Sequence, residues 1–375
     1  MKTGKPLNKY HLTRYSRHLS LPEIGKEGQQ RLLDAAILVV GAGGLGSPVL
    51  QYLSAAGVGT IRIADFDNVE LSNLQRQVLF REEDTGKPKA EIAARFAKNL
   101  NSDIEVEVIS RRVNSGNARE LVKRSDIVVD CTDNFETRYA LNDACVLEDK
   151  PLVYGSVFRF EGQVAVFNAL LDNGKRSSCY RDLFPEPPPP GLAPDCAEAG
   201  VSGALTGIIG SIQAMEVIKL ITGAGEPLAG KLLVFDSLSM KSDLITIPDR
   251  GARKNIKTVQ PVQQTCTRQD EIPQITPAEL KKWNDENRNF ELIDVREPYE
   301  REIASIGGRL IPKNEIADQV ESFDNDKPIV LYCRSGKRSL DAAHTLHNLG
   351  VKNLYNLEGG ILRWIDEVDP ELNKY

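Results

Sequence analysis

Two α/β domains in series, the first built on a mixed, mostly parallel sheet, are predicted by three features of the chain. Short β-branched runs alternate with helix-like segments over residues 36 to 130, a glycine-rich turn joins the first run to the first helix, and a second alternation begins after a polar stretch near residue 274. The length agrees, because 375 residues exceed one average domain and suit a large and a small one, each with its own core.

Taken in order, AILVV, TIRIAD, IEVEVIS and DIVVDC read as strands, with SPVLQYLSAAG and AEIAARFAKNL as crossover helices between them. PLVYGS, GQVAVFN and KLLVFDSL extend the same sheet with antiparallel members, so the first domain spans residues 1–248. The most apolar long stretch, Val201 to Ile221, contains Gln213, Glu216 and Lys219, which a bilayer span does not accept without a function for them; it reads as a packed helix. Residues 249–274 are polar, with prolines and no apolar period, and read as a linker. In the second domain, 275–375, ITPAELKKWN starts a helix with Thr276 as cap and Pro277 at its first position. FELIDV and PIVLYC follow as strands, and SLDAAHTLHNLG as a helix closed by Gly350.

Composition narrows the function. With 47 basic and 53 acidic side chains the net charge is −6, so no chain-wide positive field draws the protein to nucleic acid or anionic lipid. Six scattered cysteines form no disulfide framework and imply a reducing compartment. MKTGKPLNKYHLTRYSRHLS has no apolar core or cleavage site, so a cytoplasmic location without a membrane anchor is expected.

Gly41, Gly43 and Gly46 form GxGxxG between the first strand and a helix, where backbone amides face phosphate oxygens in a Rossmann-like unit. Asp65 ends the next strand, where a carboxylate meets ribose hydroxyls. These residues alone favour a dinucleotide site and an oxidoreductase. SNLQRQ, GKPK and DCTDN shift the balance, because Arg76 and Lys89 supply charge for a leaving pyrophosphate and Asp133 supplies a carboxylate for Mg²⁺. The bland alternative makes Arg76 and Lys89 surface charges and Asp133 a helix cap.

Together GAGGLG, ADFD, LSNLQRQ, KPKA, DCTDN and RYSRHLSLPEIG resemble the ThiF/MoeB/HesA-type adenylyltransferases, relatives of the ubiquitin-activating enzymes, over roughly residues 10 to 248. The resemblance implies that Gly44, Asp65, the segment Ser72, Asn73, Leu74, Gln75 and Arg76, Lys89, Asp133 and Asn134 contact ATP and Mg²⁺. It also implies a homodimer in which Arg17 reaches the neighbouring subunit's site. The implied substrate is a ubiquitin-like sulfur carrier of the MoaD or ThiS type with a C-terminal Gly-Gly. Of the pathways that use such carriers, molybdopterin cofactor synthesis leads over thiamine, cysteine and tRNA thiolation.

Cys196 occupies the place of a family cysteine that can link covalently to the carrier; an ordinary small apolar residue is the equal alternative. The family's structural zinc uses two CxxC pairs. Here the first reads Cys179–Tyr180–Arg181–Asp182 and no cysteine follows Met240, so no zinc is expected.

Cys333 ends PIVLYC and opens CRSGKRS before a helix. Successive amides, the helix dipole and the cations Arg334, Lys337 and Arg338 surround the sulfur and suit a nucleophile. A cysteine phosphatase has arginine six positions on, where this chain has Ser339. With FELIDVREPYE and LEGGILRW, the loop resembles a rhodanese domain over about residues 275 to 375. That implies a Cys333 persulfide charged by a sulfur donor such as a cysteine desulfurase or thiosulfate. The expected function is ATP-dependent adenylation of the carrier followed by sulfur transfer to give a thiocarboxylate. The competitors are an NAD-dependent oxidoreductase fused to a sulfurtransferase, and a non-catalytic adaptor for a ubiquitin-like protein.

Overall fold

The computed structural model describes residues 6–188, 200–261 and 272–375. The chain divides into two compact units, Met1–Gln264 and Thr265–Tyr375.

In the first unit eight strands form one sheet. They are β1 (Ala36–Val40), β2 (Thr60–Ala64), β3 (Glu105–Ile109), β4 (Ile127–Asp130), β5 (Leu152–Phe158), β6 (Glu161–Phe167), β7 (Lys231–Asp236) and β8 (Lys241–Thr246), in the order β3-β2-β1-β4-β5-β6-β7-β8. The strands from β3 to β5 run parallel and β6, β7 and β8 are antiparallel, the mixed sheet expected from the sequence. In β1 and β4 nearly every residue is buried on both faces, which explains why they read as unbroken apolar runs without alternation.

Apolar side chains form a separate cluster on each face. Ile37, Val39, Leu50, Leu53 and Ile209 belong to one, and Leu38, Val128, Tyr139 and Phe167 to the other. The long helix Gly203–Thr222 buries Leu205, Ile209, Ala214 and Val217 within the first cluster, as a packed helix does. Its Gln213 is fully buried and donates to the Asp130 carbonyl over 2.8 Å, so its polarity is matched inside the fold.

The stretch 249–261, read from sequence as linker, packs on the first unit. Ile256 joins Cys179 and Val146 in a small apolar cluster, and Val259 lies against the second large one. Of the rest, 262–271 lies outside the described residues, and Ile272 and Gln274 belong to the core and first strand of the second unit rather than to a linker.

In the second unit β9 (Gln274–Ile275), β10 (Glu291–Asp294), β11 (Arg309–Leu310), β12 (Ile329–Tyr332) and β13 (Leu354–Leu357) make a parallel sheet ordered β11-β10-β12-β13-β9. Thr276 caps the helix Pro277–Asp285 and exchanges hydrogen bonds with Glu279, a capping box with Pro at the first turn.

Candidate functional site

At the C-terminal ends of β1, β2 and β4 a cleft of about 460 Å³ opens, the place where open α/β sheets hold ligands. Gly41 has φ +91°, and a side chain there would press on the Cys131 carbonyl. A Cβ on Gly46 would stand 2.1 Å from the Gly41 carbonyl oxygen, so this turn closes only with glycine at both places. The helix Gly46–Ala56 starts here; its Ser47 amide is bonded to the Gly43 carbonyl and Pro48 has none, so the backbone that lines the cleft is the turn Gly41, Gly43, Gly44 and Leu45.

Gly41, Gly43, Gly44, Asp65, Arg76, Lys89, Asp133 and Asn134 all line this one cleft. Sequence separations of up to 93 positions are thus brought to one place, because β1, β2 and β4 are neighbours in the sheet. Asp65 Oδ2 accepts the Ala42 amide at 2.7 Å and Oδ1 the Asp67 amide at 2.9 Å, which fixes its carboxylate beside the glycine turn. Burial holds the Asp65 carboxyl above its ordinary range, while those two amides and Lys89 pull the other way. Lys89 is buried at the start of the helix Lys89–Leu100, with its Nζ 3.4 Å from Asp67 Oδ2.

Asn134, not Asp133, caps the helix Phe135–Leu147, its Oδ1 accepting from the Thr137 amide at 2.9 Å. The capping alternative for Asp133 therefore fails, and its carboxylate is exposed with no hydrogen bond or ion pair to any described residue. The loop that carries it is anchored from below. Buried Arg138 donates to Asp130 Oδ2 at 3.1 Å and to the Thr132 carbonyl at 2.7 Å.

Other expected residues stand outside the lining. Ser72 and Asn73 lie in the one-turn helix Leu71–Asn73, Ser72 exposed and Asn73 buried. Leu74 packs on the core beneath, and Gln75 is exposed. The segment's part is to seat Arg76, whose Nη1 donates to the Ser72 carbonyl at 3.2 Å. Arg17 is exposed on the short helix Ser16–Leu19 and does not line its own chain's cleft. Cys196 lies outside the described residues.

Several lining residues escaped the sequence reading. Arg111 and Arg112 add two cations, with Arg112 stacked 5.2 Å from the Phe66 ring centroid. Gln77 Oε1 is buried without a hydrogen-bond partner among the described residues, an acceptor open to a ligand hydroxyl. Gln77 and Phe66 sit inside the quoted motifs LSNLQRQ and ADFD, whereas SRRV carried no signal beyond its charge. The donor set fits ATP: cations and free amides for phosphates, a carboxylate for ribose. Asp133 fits Mg²⁺, which takes one or two carboxylates and otherwise phosphate oxygens and water.

Zinc does not fit. Asp182 Oδ2 accepts the Cys179 amide at 2.8 Å, and its Oδ1 accepts the amides of Arg250 at 2.9 Å and Ala252 at 3.0 Å. Its two oxygens are thus spent on backbone. Burial, reinforced by that carboxylate, pushes the Cys179 thiol up to about 12. Among the described residues no group of three or more His, Cys, Asp or Glu side chains is placed to hold a metal ion.

In the second unit Cys333 is fully buried at the end of β12, at the head of a loop leading to the helix Lys337–Asn348. The Gly336 amide donates to its Sγ at 3.2 Å, and the Ser339 hydroxyl stands 3.4 Å from it and 2.6 Å from Asn356 Oδ1. Ser339 thus lies against the sulfur at the place where a phosphatase has arginine. The three cations do not simply flank the thiol as the sequence suggested. Arg338 forms a two-pronged pair with Glu300, 2.7 Å at each prong, and Arg334 Nε donates to the Tyr375 carbonyl at 2.7 Å. Below them the fully buried Arg296–Asp294 pair ties the end of β10 to the same region, with Tyr332 donating to Asp294 at 2.8 Å.

Residues 15–257 match the ThiF family model and residues 276–367 the rhodanese-like domain model. The chain belongs to the ThiF family. It is an adenylyltransferase that carries a sulfurtransferase domain of the rhodanese type. It is 45% identical to the "probable adenylyltransferase/sulfurtransferase MoeZ" of Mycobacterium tuberculosis, across 100% of this chain and 98% of that one. It is 52% identical to the "sulfur carrier protein adenylyltransferase" of Thermus thermophilus, across 64% of this chain and 88% of the relative. A crystal structure of E. coli MccB with AMPCPP and MccA superposes with a TM-score of 0.54 at 25% identity, covering 62% of this chain and 71% of MccB. This membership displaces the oxidoreductase and adaptor alternatives.

Proposed function

We propose that the first domain binds ATP with Mg²⁺ in the cleft and adenylates the C-terminal glycine of a ubiquitin-like sulfur carrier ending in Gly-Gly. Cys333 in the second domain then supplies sulfur as a persulfide. The convergence of Arg76, Lys89, Arg111 and Arg112 with the glycine turn and Asp65 in one cleft carries this reading, because it matches a triphosphate's charge rather than a nicotinamide's. The name of the Thermus relative supports the carrier as substrate, and that of MoeZ supports the pairing of the two activities.

In the first step a carboxylate oxygen of the carrier attacks the α-phosphorus, the α–β anhydride bond breaks, and pyrophosphate leaves. The chain's part is alignment and charge neutralisation: amides after Gly41 and the cations hold phosphates, and Asp65 orients the ribose. Asp133 would hold Mg²⁺, which when bound neutralises further phosphate charge. In the second step the terminal sulfur of the Cys333 persulfide attacks the acyl carbon and AMP leaves. A thiol, for which Cys196 is the candidate, attacks Cys333 Sγ in the acyl disulfide and releases the thiocarboxylate. The disulfide left behind is reduced by a cellular thiol.

A homodimer with Arg17 completing the partner's site, a cytoplasmic location, a cysteine desulfurase or thiosulfate as donor, and a place in molybdopterin synthesis complete the reading. Carrier-dependent exchange of labelled pyrophosphate into ATP tests it. Exchange with one of a panel of carriers, lost on Gly-Gly truncation and lowered at least about 100-fold by Lys89→Ala, supports it; no exchange with any carrier overturns it.

A further inference from the structure

Cys333 accepts sulfur only if a donor reaches it, yet its side chain is fully buried. Of the two arginines that bracket its loop, Arg334 meets Tyr375 directly, whereas Arg338 is held by Glu300, which in turn meets the Tyr375 hydroxyl. The Tyr375 carbonyl accepts from Arg334 Nε at 2.7 Å, and its ring lies 5.6 Å from the Arg334 guanidinium carbon. The Tyr375 hydroxyl meets Arg296 Nη1 and donates to Glu300 Oε1 at 3.3 Å. Glu300 in turn holds Arg338 by two short hydrogen bonds. Tyr375 thus touches one end of the sulfur loop through its backbone oxygen and ring, and the partner of the other end through its hydroxyl.

We propose that Tyr375 is a positioning residue for sulfur transfer: it clips Arg334 directly and Arg338 through Glu300, and so sets how far the Cys333 thiol is open to a donor. The packing around it favours a specific clip over general adhesion. Tyr375 sits at the rim of the second unit's apolar cluster rather than inside it, and its hydrogen bonds go to residues that touch the loop or anchor it. The loop's other wall is rigid, because Gly360 leaves no room for a Cβ against the Cys333 carbonyl and the Ile361 amide donates to that carbonyl at 2.8 Å. The contacts that a side-chain substitution can remove without touching this wall are those of Tyr375. This inference rests on Cys333 being the sulfur acceptor.

The test compares the full chain with Tyr375→Phe and Tyr375→Ala. Two rates are read: alkylation of Cys333 by iodoacetamide, followed by peptide mass, and transfer of sulfur from thiosulfate to cyanide. In that transfer the Cys333 thiolate attacks the sulfane sulfur, the S–S bond breaks, sulfite leaves, and cyanide removes the sulfur as thiocyanate. Tyr375→Ala is expected to raise alkylation at least about fivefold and to raise KM for thiosulfate by a similar factor, with a smaller change in kcat, as for a loosened local segment. Both variants keep the backbone oxygen on Arg334; Tyr375→Phe loses only the hydroxyl's bonds to Arg296 and Glu300 and keeps the ring beside Arg334, so it should fall between. Alkylation and KM within about twofold of wild type in Tyr375→Ala would overturn the clip. So would a loss of kcat alone that follows a lower unfolding midpoint, which marks a merely structural residue. If the wild-type chain transfers no sulfur from thiosulfate, or Cys333→Ser still transfers it, the acceptor role falls while the alkylation rates still decide whether Tyr375 governs access.

Discussion

Replacing Asp182 with alanine removes the acceptor of three backbone amides at once, and the structure allows the cost to be worked through. The Cys179 amide is fully buried and receives its bond from an ionised oxygen, so leaving it unpaired costs about 2 kcal/mol. The amides of Arg250 and Ala252 lie in partly exposed segments where water replaces part of the loss, and together they add about 1 kcal/mol. The expected destabilisation is about 3 kcal/mol, confined to the first unit, and the 249–256 segment should detach before the sheet unfolds. Both tryptophans, Trp283 and Trp364, lie in the second unit, so their fluorescence is blind to this change. The suitable assay is hydrogen exchange of the full chain resolved by peptide, with protection at Arg250 and Ala252 expected to fall at least about 30-fold. Asp182→Asn should do nearly as much damage, because its amide group presents a donor to at least one of the same amides. A chelator should leave exchange unchanged. Protection within about twofold of wild type in Asp182→Ala, or loss of protection on chelation, would refute the view that a carboxylate fastens this edge in place of a metal.

Gly46→Ala should weaken ATP binding measured by calorimetry at least about tenfold, because the new methyl meets the Gly41 carbonyl at 2.1 Å and forces the turn open. Asp133→Asn should leave folding intact, since the exposed carboxylate has no partner among the described residues, while lowering pyrophosphate exchange at least about tenfold. For the Glu300–Arg338 pair, burial alone would raise the Glu300 carboxyl, but Arg338 more than offsets this and holds it below its ordinary value of 4.5. The pair's stabilisation is therefore fully present above pH 4.5 and is lost as pH falls through the lower folded value; Glu300→Gln should flatten that acid limb when tryptophan fluorescence follows unfolding of the second unit.

The fold was legible where a local period or a local punctuation mark decided it. Strands such as AILVV and IVVD are buried on both faces and read as apolar runs, and the Thr276–Pro277 cap was written in two consecutive positions. The candidate nucleotide site was legible for a related reason: GAGGLG, ADFD and DCTDN follow β1, β2 and β4, and parallel topology collects those strand ends at one edge, while LSNLQRQ and KPKA lie in the connection between β2 and β3. What stayed hidden depends on pairs distant in sequence. Nothing in RDLF or DRGA announces that Asp182 binds the amides of Arg250 and Ala252, so 249–261 read as linker. Likewise CRSGKRS displays three cations but not the partners, Glu300 and Tyr375, that hold two of them. Asp133 and Asn134 are adjacent residues equally able to cap, and only the backbone assigned the cap to Asn134.

The most direct measurement follows an oxygen atom. A carrier whose terminal carboxylate is labelled with ¹⁸O is turned over once with ATP by the chain bearing sulfur on Cys333, and the AMP released is weighed. If a carboxylate oxygen attacks the α-phosphorus and sulfur later breaks the acyl C–O bond, one labelled oxygen leaves in AMP and the carrier gains one sulfur. Unlabelled AMP beside a thiocarboxylated carrier would contradict adenylation as the activating step.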